Sequence, residues 1–150
     1  MVSVQTVYDA FLAKILDDEW GNWKDEAGLL DEEAIAADWK SLLDSALPYF
    51  KFPRVSLEIN GDFFVDNNIS NDEIQLLATY MKCQWLNRTI LTWENVKPLY
   101  VERDFSQANL LDKLHQLLER EEKNAEKLES DYYRAIKGKP FDYSFLASKV

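Results

Sequence analysis

The sequence predicts a mainly α-helical domain of about four helices, the last one long, with a small β-hairpin and an extended C-terminal tail. Three observations carry this. Apolar residues recur at helical spacing in four separate runs. The period drops to two between Pro53 and Asp66. No Pro or Gly interrupts the chain from Leu99 through Lys137. Residues 1–137 read as a single helical domain with the hairpin near 54–66, and residues 138–150 as an extended arm.

Ser3 is placed to cap a first helix in which Val4, Val7, Tyr8, Phe11, Leu12 and Ile15 share a face, fading near Asp17. An acidic, aromatic connector follows to Leu30, where Gly21 and Gly28 discourage a continuous helix. Asp31 caps the second helix, and Glu32 and Glu33 occupy its first turn, where the backbone dipole favours negative charge. Its apolar face is Ile35, Trp39, Leu42, Leu43 and Ala46, and Pro48 ends it. In the hairpin, Val55, Leu57 and Ile59 alternate with Ser56 and Glu58. Asn60-Gly61 is expected to supply a turn of positive φ, with Phe63 and Val65 continuing beyond it. Such a hairpin is marginal alone, so it must lie on the helices or pair with a strand from elsewhere. Ser70 and Glu73 form a capping box for the third helix, whose face is Ile74, Leu77, Met81, Trp85 and Leu86, through about Thr89.

The last helix is predicted over Ser106 to Lys137, with Gly138 and Pro140 as its stop. At that length it rises about 46 Å, whereas a compact chain of 150 residues has a diameter of about 40 Å. Leu110, Leu111, Leu114, Leu117 and Leu118 make a broad stripe suited to a core. Ala125, Leu128, Tyr132 and Ala135 make a thin one, suited to a seam against another subunit or against the first helix of the same subunit. The tail carries Phe141, Tyr143, Phe145 and Leu146, expected to dock on a neighbouring ring subunit or the portal, with folding back on its own subunit as the alternative. With Lys137, Lys139 and Lys149 against Asp142, the last fourteen residues bear a charge of +2, opposite to the N-terminal third.

Composition narrows the function classes. With 47% apolar residues, five Trp, seven Tyr and eight Phe, the chain can bury one real core. The net charge of −10 is uneven: residues 1–50 hold three lysines against eleven acidic residues, while each later third is near balance. A surface of that sign repels phosphate, which excludes gripping nucleic acid through a basic footprint. It suits a channel through which DNA slides without sticking. No apolar run reaches the length needed to span a bilayer, and residues 1–10 lack the features of a signal peptide, so a protein made in the cytoplasm is expected.

No residue set points to catalysis, a cofactor or a metal. His115, the single histidine, has no partner for triad or metal chemistry. Cys83, the single cysteine, has no disulfide partner. The acidic run from Asp17 lacks the glycine at its sixth position and the carboxylate at its twelfth that a calcium loop requires. With four glycines and no phosphate loop or nucleophile elbow, enzyme is the least favoured class.

Two stretches carry a resemblance: Asp72-Glu73-Ile74-Gln75-Leu76-Leu77-Ala78 continuing to Met81-Lys82-Cys83-Gln84-Trp85-Leu86-Asn87-Arg88, and Phe105-Ser106-Gln107-Ala108-Asn109-Leu110-Leu111-Asp112-Lys113-Leu114. Together they resemble head–tail connector proteins of tailed bacteriophages. The resemblance implies a structural adaptor in the virion neck, often twelve copies to a ring under the portal, that joins head to tail and continues the DNA tunnel. Its implied partners are itself, the portal protein and further neck or tail proteins. The N-terminal acidic balance leaves an alternative of another class, an acidic inhibitor or DNA mimic that blocks a basic site on a partner.

Overall fold

A computed structural model describes residues 2–15, 19–96 and 105–134. Among them are four α-helices: α1 (Gln5–Lys14), α2 (Glu32–Ala46), α3 (Asn71–Val96) and α4 (Phe105–Arg134), with a two-stranded antiparallel sheet, β1 (Ile59–Asn60) and β2 (Phe63–Phe64). The mainly α fold with a small hairpin is therefore as the sequence indicates. The stretch from residue 135 onward, which includes Ala135 and all four aromatic or apolar tail positions, lies outside the described residues.

Two of the three helix-start signals act where they were read. The Ser3 hydroxyl accepts from the Gln5 N–H at 3.2 Å, but the N-cap of α1 is Val4, one residue later than expected, and no side chain caps it. Asp31 Oδ1 accepts from the Ala34 N–H at 3.1 Å and starts α2. The Glu73 carboxylate reaches back to the Ser70 N–H at 3.1 Å and also takes the Ser70 hydroxyl, satisfying donors at the start of α3. The connector before α2 is an ordered turn. Asp25 Oδ1 accepts from the Ala27 and Leu29 N–H groups, and Gly28 takes the positive φ of 81° that the turn requires.

The hairpin differs in register from the expectation. Ile59 faces Phe64 and Asn60 faces Phe63, so the two-residue turn is Gly61-Asp62, one position later than predicted. Gly61, with φ 64°, is the residue that meets the left-handed requirement. The shift also exchanges faces beyond the turn: Phe64 is buried, while Phe63 and Val65 are exposed. The outer edge of β2 is covered by the N-terminus, through Val4 N–H to Asp62 O at 2.8 Å and Phe64 N–H to Val2 O at 2.9 Å. This isolated bridge, Ser3 opposite Phe63, gives the short hairpin further backbone pairing.

α3 is the axis of the molecule, and α1, α2 and α4 all pack on it. Its predicted face is buried, and so are Leu76, Ala78, Thr79, Tyr80, Cys83 and Ile90, because neighbours arrive on nearly every side. It continues past Thr89 to Val96, where no Gly or Pro intervenes. Asp38 of α2 ties this axis to the connector. It accepts from Trp20 Nε1 at 2.7 Å and from the Arg88 guanidinium at 2.6 and 3.1 Å. Trp20 itself is in the core, edge-on to Phe11 and Trp39.

The neighbour that the length of α4 calls for is α3 of the same chain. The two run antiparallel as a helical hairpin, joined by Tyr132 to Glu73, Glu129 to Tyr80, Glu121 to Lys82 and His115 to Glu94. The distribution of burial along α4 reverses the expectation. Leu110 is exposed, and Leu111, Leu114, Leu117 and Leu118 are half-buried. Ala125 and Tyr132 are buried within the single chain, with Leu128 half-buried against the same core. A small residue at 125 lets the backbones of α3 and α4 approach, and the ring of Tyr132 fills the space beside Phe50.

Candidate functional site

The two ends of the α3–α4 hairpin expose unlike surfaces. The first is aromatic and is built where the C-terminal end of α4 meets the segment after α2. Tyr132 lies edge-on to Phe50 with ring centroids 5.1 Å apart, and the Arg54 guanidinium sits 3.9 Å over the Tyr132 ring. The Tyr132 hydroxyl accepts from the Arg54 N–H at 2.6 Å and donates to the buried Glu73 at 3.3 Å. This buried scaffold holds three exposed rings above it. Tyr49 stacks on Tyr80, and Phe52 meets Tyr133 at 6.1 Å. Phe52 is 71% exposed, an unusual position for so large an apolar side chain next to two other exposed aromatics, Tyr49 and Tyr133.

The phenols at this end stay protonated. Glu129 accepts from Tyr80 through Oε2 at 2.8 Å and from Tyr133 through Oε1 at 2.7 Å. Burial pushes both hydroxyls up, and the bond to Glu129 adds to it, placing Tyr133 at about 12 and Tyr80 higher still. Burial also raises Tyr132, against the opposing influence of Arg54. Each gives its single O–H to a carboxylate, so these groups hold the rings in place and are unsuited to proton transfer near neutral pH.

The opposite end exposes scattered apolar side chains. Leu91 and Trp93 on α3 and Leu110 on α4 are exposed there. From Tyr80 to Trp93 the axis of α3 advances about 20 Å, so these side chains are well apart from the aromatic patch. His115, half exposed, faces Glu94 at 3.3 Å on the flank of this end. Cys83 is buried beside Glu122 and Glu121, and burial followed by those charges pushes its thiol up to about 11, which makes it unreactive. Among the described residues, no group of three or more His, Cys, Asp or Glu side chains converges to hold a metal ion, and no helix is long and apolar enough to cross a membrane.

Of the four residues expected to form an intersubunit seam, Ala125 and Tyr132 are covered by their own chain. Leu128 is partly covered, and Ala135 is outside the described residues. The seam they form is intramolecular because Phe50 and α3 reach it first. The docking positions Phe141, Tyr143, Phe145 and Leu146 are also outside the described residues. Sequence reading missed Tyr49, Phe52 and Tyr133 as a patch. Its local signal, three aromatics between Pro48 and Pro53, says nothing of their meeting α4. No family model, no curated protein and no solved structure matches this chain.

Proposed function

We propose that this chain is a structural subunit of a phage head–tail connector, a head-to-tail adaptor. In this reading it closes into a ring beneath the portal in the virion neck, joins head to tail and continues the DNA tunnel. The observation that carries the reading is the aromatic patch at Tyr49, Phe52 and Tyr133 at one end of the α3–α4 hairpin, with Leu91, Trp93 and Leu110 exposed as separate apolar side chains toward the other. A closed ring repeats one heterologous contact, which needs two different faces on each subunit. The aromatic patch is suited to be one of them, and the end that exposes Leu91, Trp93 and Leu110 is the candidate for the other. The segments that resemble connector proteins, residues 72–88 and 105–114, belong to the same two helices. An N-terminal third with a surplus of eight acidic residues suits the wall of a conduit that must let DNA pass. The activity is geometry and adhesion, without turnover.

Mass photometry of the purified protein, alone and with portal protein, tests this. The expected species has about twelve times the 17.6 kDa subunit mass. A chain that stays monomeric in both conditions would sink the reading.

One observation favours a second reading, an acidic inhibitor. Asp25, Asp31, Glu32 and Glu33 surround Leu29 and Leu30 in a shallow depression, and both leucines are exposed. Carboxylates around an apolar centre match a basic site on a partner. A monomer that binds a basic protein tightly, and loses it on Leu30→Ser, would support this reading over the ring.

A further inference from the structure

A cleft of about 1020 Å³ opens between α2 and the face of the β-hairpin. Leu47, Leu57, Ile59 and Phe63 line it with apolar surface, and Phe63 is 41% exposed there. Asp44, Glu58 and Asp62 stand around it against one lysine, Lys40. Tyr8 reports the sign of the field inside. Burial and then Asp44 and Asp62 push its phenol up to about 12. An occupant of this cleft should be extended, aromatic and basic.

We propose that residues 139–149 of the same chain occupy this cleft. Phe141, Tyr143 and Phe145 lie against Leu47, Leu57, Ile59 and Phe63, and the flanking lysines face Asp44, Glu58 and Asp62. Three observations carry the assignment. The aromatics alternate with Asp142 and Ser144, so in an extended chain they share one face. Lys139 and Lys149 against Asp142 give the segment a charge of +1, opposite to the cleft rim, so attraction and apolar burial act together. The route is short. Tyr132 and Tyr133, in the last turn of α4, rest on Phe50, Phe52 and Arg54. Leu47 lies three residues before Phe50 and Leu57 three after Arg54, each within about 10 Å along the backbone. From Arg134 to Phe141 an extended chain reaches about 23 Å, so the segment meets its own cleft at high effective concentration. This occupant is the chain's own tail, in place of the neighbouring subunit expected from sequence, and it holds whether or not the protein forms a ring.

Site-specific photocrosslinking in the full-length chain tests it, with Tyr143 replaced by p-benzoylphenylalanine. Equal amounts of ¹⁵N-labelled and unlabelled chains are mixed and irradiated, and the products are mapped by tandem mass spectrometry. The expected crosslinks fall between Asp44 and Phe63, with both peptides carrying the same isotope. Adding Phe63→Lys, or Asp44→Lys with Asp62→Lys, should cut their yield at least fivefold while the circular dichroism spectrum is unchanged. Mixed-isotope crosslinks would show a second copy in the cleft and overturn the assignment. Crosslinks on another surface, no crosslinks, or a yield indifferent to the three cleft substitutions would overturn it as well.

Discussion

Arg88 on α3 grips Asp38 on α2 with two nitrogens, at 2.6 Å to Oδ1 and 3.1 Å to Oδ2. The second oxygen also receives Trp20 Nε1, so one carboxylate fixes two helices and the connector. Asp38→Ala leaves the Trp20 indole N–H without this acceptor and takes a carboxylate from the part-buried Arg88 guanidinium. Because Arg88 is 37% exposed, water compensates part of the loss, and the expected cost is about 2 kcal/mol. A melting temperature lower by roughly 5 °C corresponds to it for a chain of this size. An unchanged melting temperature would show that the three-way contact adds nothing.

Alkaline stability should fall in two stages. Cys83 is raised from 9.0 to about 11, and Tyr8 and Tyr133 from 10.0 to about 12. In each the fold favours the protonated form. That contribution is complete below the unfolded-state value and disappears as pH rises through the folded one. Urea midpoints should therefore hold up to pH 9, then drop between 9 and 12. Cys83→Ala should remove part of the fall between pH 9 and 11, and Tyr8→Phe part of that between 10 and 12. Profiles parallel to the parent's in both variants would contradict the assignment.

The second half of α4 belongs to the core of its own subunit, so substitutions there should unfold the single chain. Tyr132→Ala removes a buried ring and leaves Glu73 and the Arg54 N–H each without one partner, at about 4 kcal/mol. Leu128→Asp should lower the melting temperature of the monomer as well. Normal monomer stability with loss of assembly would restore the intersubunit seam.

Gly61 tests the turn. An added Cβ meets nothing within 4 Å, so the cost of Gly61→Val comes from φ 64° alone, about 1–2 kcal/mol. Gly61→Asn should be nearly neutral, since Asn tolerates that region. Equal denaturation midpoints for the two variants would show that the backbone conformation is not the determinant.

Phe52→Lys separates surface from core. With the side chain 71% exposed, its melting temperature should change by the equivalent of less than about 0.5 kcal/mol, while the ring that the proposed function expects should be absent in mass photometry. Rings of normal mass would remove the aromatic patch from the interface.

Local chemistry accounts for what the sequence alone determined. The caps at Asp31 and Ser70, the break at Pro48, the face of α2 and the presence of a turn around Gly61 each depend on groups within a few residues of one another. The hydrogen bonds responsible span only that range, Ala34 to Asp31 and Ser70 to Glu73. Tertiary structure decided the rest. Arg54 and Tyr132 meet across 78 residues, and Asp38 and Arg88 across 50. The turn register followed Phe64, which is buried where Phe63 is not, and the N-terminal segment that pairs with it. The thin stripe on α4 has the same periodicity whether its partner is another subunit or α3. Helical spacing states that a face is apolar, and only the surface that arrives to cover it determines whether that face is core or interface.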